Sequence, residues 1–530
     1  NKPKTKMEKT RDFVTPLLTD MYQITMAYGY FKSNKHNQHS VFDCFFRKHP
    51  FEGSFTVFAG VAEVVKFVKS YKFTPEHIAY LKSIMHVDDP AFFDWLATVD
   101  YSKVQIYALK EGSIVFPKEN LLRIEGPLAA CQLLESTVLN LVNFPSLMAT
   151  NARRMKIAAG KGKRLIEFGL RRAQGPDGAM MASQYSYIGG FHGSSNVNAG
   201  FLMGIEVSGT MAHSYITSFD SLEELKDIQL DGKDFKALCI EVRKELDFSH
   251  TSDGEFAAMI AYAAHYPKSF LGLVDTFDTM ESGVPNYLAV AVALKRIGYE
   301  PQGIRLDSGD LAKLSKASRK MFETVGAKAK VDFSHLKIVA SNDINEDTLN
   351  DLARDGHEID TFGIGTNLVT CQKQPALGMV YKLVSLDGVS KIKFSNDPSK
   401  VLLPGTKTVY RVWTDSSPFA AFDLIALEHE KLVEGQEIKI RASADRFKKY
   451  FVTIKKIETL HELVWDGKET DKVTSLEGSR THLERQIETF NPELFNLKKP
   501  AKYEVYITDE LSCKTAEIVE EKNVWRKLPQ

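Results

Sequence analysis

Residues 164–219 decide how the fold is read: RLIEF (164–168) runs into GLRRAQGPDG (169–178), and MGIEV (203–207) runs into SGTMAHSYITSF (208–219). A short apolar run, a basic loop, a helical stretch, a second apolar run and a histidine describe strand, loop, helix, strand and loop. Arg171 and Arg172 come just after the first strand, and His213 follows the second strand after a Ser-Gly-Thr turn. Two fixed positive charges and an imidazole gathered at strand ends suit an anion.

The rhythm continues outward from this stretch. Apolar runs at 164–168, 203–207, 269–275, 302–306, 335–340 and 359–362 mostly alternate with helical segments at 255–266, 285–297, 311–322 and 345–353. Alternation at this spacing predicts parallel βα units. Six in succession, with polar residues after each strand, favour an irregular parallel barrel; an open doubly wound sheet is the alternative. The expected organisation is a polar disordered tail at 1–11, an α+β segment at 12–126, a connecting helix at 127–160, the α/β barrel at 161–370 and a C-terminal segment at 371–530. Within the first segment Thr19 or Asp20 can cap a helix, with strands at 41–46, 56–59, 103–109 and 114–124.

Composition narrows the class. At 530 residues the chain exceeds what one core serves. Lys plus Arg and Asp plus Glu both number 68, which argues against a nucleic-acid coat or an acidic-lipid binder. Cys44, Cys131, Cys239, Cys371 and Cys513 lie far apart, without zinc or redox spacing, and read as reduced thiols. The Lys-rich first ten residues lack the apolar core of a secretory signal, and no apolar run approaches about 20 residues. A cytosolic enzyme or binding protein with no membrane span is expected.

The residues after each strand carry the chemistry. They are Asp275-Thr276-Phe277-Asp278, then Arg305-Leu306-Asp307-Ser308-Gly309-Asp310, Ser341-Asn342-Asp343 and Phe362-Gly363-Ile364-Gly365-Thr366-Asn367. In a parallel barrel these loops converge on one cavity. Gly363 and Gly365 let backbone N–H groups approach a phosphate. Taken singly, a GxGT is a plain turn and Asp307 to Asp310 a turn and helix cap. Recurrence at four strand ends suits a phosphorylated, polyhydroxylated ligand. In the first segment Tyr22 stands in the first turn of its helix, where a tyrosine is more often core than ligand contact.

TDMYQITMAY (19–28), EFGLRRAQGPDGAMMAS (167–183), GTMAHSYITSF (209–219), IRLDSGD (304–310) and FGIGTNL (362–368), in this order and spacing, closely resemble nicotinate phosphoribosyltransferase of the eukaryotic type. The resemblance runs from about residue 12 to the C-terminus. It implies a type II phosphoribosyltransferase fold, an α/β irregular parallel βα barrel plus an α+β domain formed by N- and C-terminal segments. It also implies a homodimer in which one subunit completes the other's active site. The implied reaction joins nicotinate to phosphoribosyl pyrophosphate, coupled to ATP hydrolysis, in the first step of NAD synthesis from nicotinate.

The family's residue roles carry over to matching positions. Phe168 and Tyr22 of a second copy would sandwich the pyridine ring; Thr210, Arg305 and Arg171 would bind nicotinate. Gly363, Gly365 and Thr366 match the 5′-phosphate loop, and Asp307, with Ser308, Gly309 and Asn342 beside it, the phosphoribosyl site. Arg305 and Asp307 count as catalytic with His213, which matches the histidine phosphorylated from ATP. Mg²⁺ (or Mn²⁺) is expected with the pyrophosphate; Asp275 and Asp278 would hold the metal or the groups around it, or equally serve as caps. A lone histidine after a strand is otherwise more often structural.

Other readings stay open. A nicotinamide-using relative would place an aspartate in the pocket, whereas Gly193-Ser194-Ser195-Asn196-Val197-Asn198 has no acid. A quinolinate-using relative would need more cations. A sugar-phosphate aldolase or isomerase would place a Schiff-base lysine or a carboxylate base at a strand end, and the quoted strand ends contain no lysine. A non-catalytic ligand-binding protein would lack part of the set. Lys382, Lys393, Lys400 and Lys407, around Asn396-Asp397-Pro398, could reach a nucleotide or keep an edge strand soluble; solubility is the expectation.

Overall fold

The computed structural model describes residues 13–393, 402–443 and 448–522. The expected tail at 1–11, the basic end after Lys522, Lys400 and the Asn396-Asp397-Pro398 interruption lie outside these residues. Arg154–Gln372 form one compact unit, and the segments before and after them together form the other.

The first of these units is the irregular parallel βα barrel. Its sheet has seven strands in the order Leu271–Leu273, Gly303–Leu306, Lys337–Ala340, Thr361–Ile364, Arg164–Glu167, Gly193–Ser194 and Glu206–Val207. Every neighbouring pair is parallel. Leu165, Ile166, Ile304, Leu306, Ile338 and Phe362 are buried in these strands. The helix Val284–Arg296 covers the sheet and is buried from Val284 through Leu294, so apolar and small residues occupy all its faces. A π-helical turn, Thr279–Gly283, leads into it. Gly283 there packs against Val274 O, where a Cβ would collide with backbone.

Three differences from the sequence reading bear on the strand ends. The run at 203–207 is a strand only at Glu206–Val207, because Met203 ends the helix Val197–Met203 and Gly204, at φ 72°, terminates it. Gly193–Ser194 is an additional strand, expected as loop. The last strand extends to Ile364, so Gly363 lies inside it and only Gly365 and Thr366 form the following turn.

The other unit holds two six-stranded sheets. One runs Val389–Ser390, Val380–Leu386, His39–Phe45, Leu122–Pro127, Gln105–Leu109 and His461–Asp466, antiparallel throughout. Phe42 pairs with Ile124 on one side and Leu383 on the other, so N- and C-terminal segments weave one sheet. The second runs Lys449–Thr453, Glu437–Ala442, Val505–Thr508, Phe422–Leu427, Lys407–Trp413 and Lys456–Thr459, entirely from the C-terminal segment. The expected strand at 114–124 is interrupted: Ile114–Val115 pairs with Thr56–Val57, and a separate strand starts at Leu122. Asp20 occupies the N-cap position of Met21–Lys32 without a side-chain capping bond, and instead accepts from Ser136 Oγ at 2.6 Å.

The solubility reading of the lysines is corrected at two positions. Lys382 sits in Val380–Leu386, an interior strand. Lys407 is 2% exposed and pairs with Asp43 Oδ2 at 2.8 Å, a buried charge neutralised by a buried charge. Cys44, Cys131, Cys239, Cys371 and Cys513 are free thiols, all but Cys513 buried. Among the described residues no helix is long and apolar enough to cross a membrane.

Candidate active site

Arg305 is the penultimate residue of Gly303–Leu306, and the strand directs its side chain to the end where the loops gather. Its Nε donates to Ser341 Oγ at 2.9 Å, and its Nη1 donates to Thr210 Oγ1 at 3.3 Å and to Met211 O at 3.0 Å. Nη2 lies 3.4 Å from Asp307 Oδ1. The guanidinium carbon stands 6.0 Å from the centroid of the Phe168 ring, which follows the strand Arg164–Glu167, three places along the sheet from Gly303–Leu306. One side chain thus ties together loops from four separate stretches of sequence.

Asp307 is the second centre. Its backbone N–H donates to Asp275 Oδ2 at 2.8 Å, and the Ser308 hydroxyl donates to the same oxygen at 2.6 Å. With its backbone pinned, the Asp307 carboxylate accepts from Ser341 Oγ at 2.6 Å and faces His213 Nε2 at 3.5 Å. His213 opens the short turn His213–Ile216, and its Nδ1 lies 3.0 Å from Thr276 Oγ1. Gly309, at φ 77°, turns the chain, and Asp310 caps the helix Leu311–Ala329 through Lys313 N. The DSGD run therefore combines a site carboxylate, Asp307, with an ordinary cap, Asp310.

Below the Phe168 ring the last strand leaves no room: a Cβ at Gly363 would meet Phe168 Cδ2. Thr366, first in the turn Thr366–Val369, accepts from Arg172 Nη1 at 3.1 Å. Glu167, fully buried behind Phe168, accepts from Gly169 N, from Ser183 Oγ at 2.8 Å and from Ser194 Oγ at 2.5 Å. These bonds join the extra strand Gly193–Ser194 to the strand that presents Phe168.

The fold brings Phe168, Thr210, His213, Asp275, Arg305, Asp307 and Ser308 into one hydrogen-bonded and packed cluster. Arg171 is exposed in the turn Leu170–Arg172, and no hydrogen bond or ion pair joins it to Arg305 or Asp307. Asn342 is exposed in the turn after Lys337–Ala340. Asp278 accepts from Met280 N and Glu281 N, capping the π-helical turn. Tyr22 lies in the other unit, 47% exposed in the first turn of Met21–Lys32. Sequence reading took Arg172 only as one of two charges suited to an anion and gave no role to Ser341 or Thr276, although each stands in a quoted strand-end loop; their place in those loops was the available signal. A separate basic cavity of about 780 Å³ in the other unit is lined by Arg47, Lys48 and Gln374, with His49. Burial lowers the His49 imidazole to about 3.

A parallel barrel whose strand ends present an arginine, a carboxylate, an aromatic ring and a glycine-bearing turn defines a binder of anionic, phosphate-bearing ligands. The chain belongs to the nicotinate phosphoribosyltransferase family. Residues 17–143 match the N-terminal domain of that family (NAPRTase), 163–412 the family proper and 406–514 the C-terminal domain. Nicotinate phosphoribosyltransferase of Dictyostelium discoideum is 46% identical over 523 residues, covering 96% of this chain and 89% of that protein. Nicotinate phosphoribosyltransferase 2 of Arabidopsis thaliana is 45% identical over 95% of this chain and 94% of that protein. The crystal structure of human nicotinic acid phosphoribosyltransferase superimposes with a TM-score of 0.83 at 36% identity, covering 94% of this chain and 99% of that one.

Proposed function

We propose that this protein joins nicotinate to 5-phosphoribosyl 1-pyrophosphate, giving nicotinate mononucleotide and pyrophosphate, with ATP hydrolysis coupled through a phosphohistidine at His213. This is a glycosyl transfer classed with ligases because of the ATP, and the first step from nicotinate to NAD. The observation that carries the reading is the Arg305 guanidinium, held by Ser341, Thr210 and Met211 within 6.0 Å of the Phe168 ring. An aromatic face beside a fixed cation suits an aromatic carboxylate.

Loss of pyrophosphate leaves a cationic centre at the ribose C1, so the protein's work is to hold anions and aim the ring nitrogen. Phe168 would cover one face of the pyridine and Tyr22 of a second copy the other, in a homodimer with shared active sites; Arg171, exposed nearby in sequence, would add a second cation for the carboxylate. Asp307, Ser308, Gly309 and Asn342 would take the ribose and pyrophosphate, and Gly363, Gly365 and Thr366 the 5′-phosphate, with Arg172 beside Thr366. For Mg²⁺ or Mn²⁺ the fitting donor is Asp275, whose Oδ1 is buried without a hydrogen-bond partner while Oδ2 is engaged. Asp278 is occupied by its turn. A bound divalent ion would neutralise the leaving pyrophosphate. The compartment we propose for the reaction is the cytosol.

The test is a substrate panel of nicotinate, nicotinamide and quinolinate with phosphoribosyl pyrophosphate, with and without ATP, read by pyrophosphate release. Nicotinate should turn over and ATP should stimulate it. Turnover of nicotinamide alone would overturn the reading.

A further inference from the structure

Glu167 is a fully buried carboxylate with no cationic partner among the described residues. A carboxylate taken out of water is costly unless donors replace the water, and three converge on this one. Gly169 N donates to Oε1; the hydroxyls of Ser194, at 2.5 Å, and Ser183, at 2.8 Å, donate to Oε2. Behind both hydroxyls stands Asn196. Its backbone N–H donates to Ser194 Oγ at 2.9 Å and its Nδ2 to Ser183 Oγ at 3.2 Å, so each hydroxyl is left to turn its own proton toward Glu167. The competing acceptor for Ser183, Ala179 O, is farther away, at 3.1 Å, and uncharged. A hydrocarbon side chain would fill the same space more cheaply beside the buried Leu165 and Ile166. What the carboxylate adds is direction, because it orders donors that an apolar group would leave free.

We infer that Glu167 is the positioning residue of the pyridine pocket: its carboxylate sets the place of Phe168 and of the loop 194–196 beside it, and so governs how tightly the ring is held. This rests on the reading of Phe168 and Arg305 as the nicotinate site. The bond from Gly169 N closes a turn with Phe168 as its middle residue, while Phe168 N donates to Ile364 O at 2.8 Å and Ser195 N donates to Glu167 O at 2.9 Å. From below, Gly363 admits the ring so closely that a Cβ there would stand 2.4 Å from Phe168 Cδ2. The Phe168 backbone and the loop are thereby tied to one anion, and the ring keeps its station 6.0 Å from the Arg305 guanidinium carbon. Glu167→Gln has nearly the same shape and can still accept from Gly169 N. Its amide nitrogen, however, turns donors onto two hydroxyls that already donate there, so the chain from Asn196 is broken.

The experiment is steady-state kinetics of the full chain, with nicotinate and phosphoribosyl pyrophosphate varied in turn, for the parent, Glu167→Gln and Ser194→Ala. The KM for nicotinate should rise about tenfold in Glu167→Gln and about threefold in Ser194→Ala, while kcat and the KM for phosphoribosyl pyrophosphate stay within about twofold. A parental KM for nicotinate in Glu167→Gln, a rise shared equally by both substrates, or a fall in kcat alone would overturn the inference, the last two being the mark of packing lost at large. Should the glutamine variant not fold, Ser194→Ala decides by the same readout. A parent protein that does not turn over nicotinate would remove the reading of the pocket and this inference with it. A parent active on nicotinate whose variants keep its KM would remove the role of Glu167 alone.

Discussion

Ser341 donates its hydroxyl to Asp307 Oδ1 at 2.6 Å. The same oxygen, Ser341 Oγ, accepts from Arg305 Nε, so it joins the fixed cation to the carboxylate that faces His213. Ser341→Ala removes both bonds without changing charge. Two hydrogen bonds involving charged groups are lost, so kcat/KM should fall by about 10- to 100-fold. Pyrophosphate release kinetics give the ratio, and an unchanged melting temperature separates it from unfolding. Full activity in Ser341→Ala would show that Arg305 and Asp307 hold their places unaided.

Arg305→Lys keeps the charge and loses the fork. Lysine cannot donate at once toward Ser341, Thr210 and Met211 while facing the ring of Phe168. We expect a weakening of nicotinate binding by about 1.5–3 kcal/mol, read by calorimetry. Equal affinity in the two proteins would contradict a bidentate site.

Gly363→Ala tests the floor under Phe168. The added methyl would contact Phe168 Cδ2 and Cε2, so the ring must shift. The expected cost is about 1–3 kcal/mol in stability, with a larger relative loss of nicotinate affinity. Chemical denaturation together with calorimetry would show it.

In the other unit, Arg411 and Asp423 are both fully buried and paired through two bonds at 2.8 and 2.7 Å. Tyr503 donates to Asp423 Oδ1, and Arg411 also donates to Gln486 and to Ile114 O. Burial and the neighbouring Asp423 charge push the Glu119 carboxyl well up. Arg411→Met should destabilise the protein by about 3–5 kcal/mol, because Asp423 is left as an uncompensated buried charge. Adding Asp423→Asn to Arg411→Met should recover part of the loss.

Burial raises the Glu111 carboxyl to about 7, and its Oε1 accepts from Gly60 N at 2.6 Å. The folded protein holds a proton there that the unfolded chain releases near 4.5, so the folded state binds more protons between those values. Its contribution to stability is full below about 4.5 and is lost as pH rises through about 7. Glu111→Gln should flatten this part of the pH–stability curve. Denaturation midpoints of the two proteins from pH 4.5 to 8 should diverge, the parent falling behind by up to about 3 kcal/mol.

Much of the barrel was legible because burial writes itself into short apolar runs. Leu165-Ile166, Ile304 and Leu306, and Ile338 to Ala340 mark strands by composition, and the polar residues after them mark one end of the sheet. Gly193–Ser194 was missed because a glycine and a serine carry no apolar signal; pairing with Ile166 and Glu167 makes them a strand. Met203 and Gly204 misled because the methionine belongs to a helix and the glycine ends it.

The sequence by itself determined the residue types available at the strand ends: a guanidinium at 305, carboxylates at 275 and 307, an imidazole at 213 and glycines at 363 and 365. Those identities decide what charge and what donors the site can offer. Only the tertiary structure decided which of them meet. Thr210 and Arg305, or His213 and Thr276, are separated by 95 and 63 positions and are joined by parallel strand pairing, whose register is a property of several strands at once. The same reason put Phe42 between Ile124 and Leu383 and buried Lys407 against Asp43: long-range pairing fixes a partner that no local pattern names.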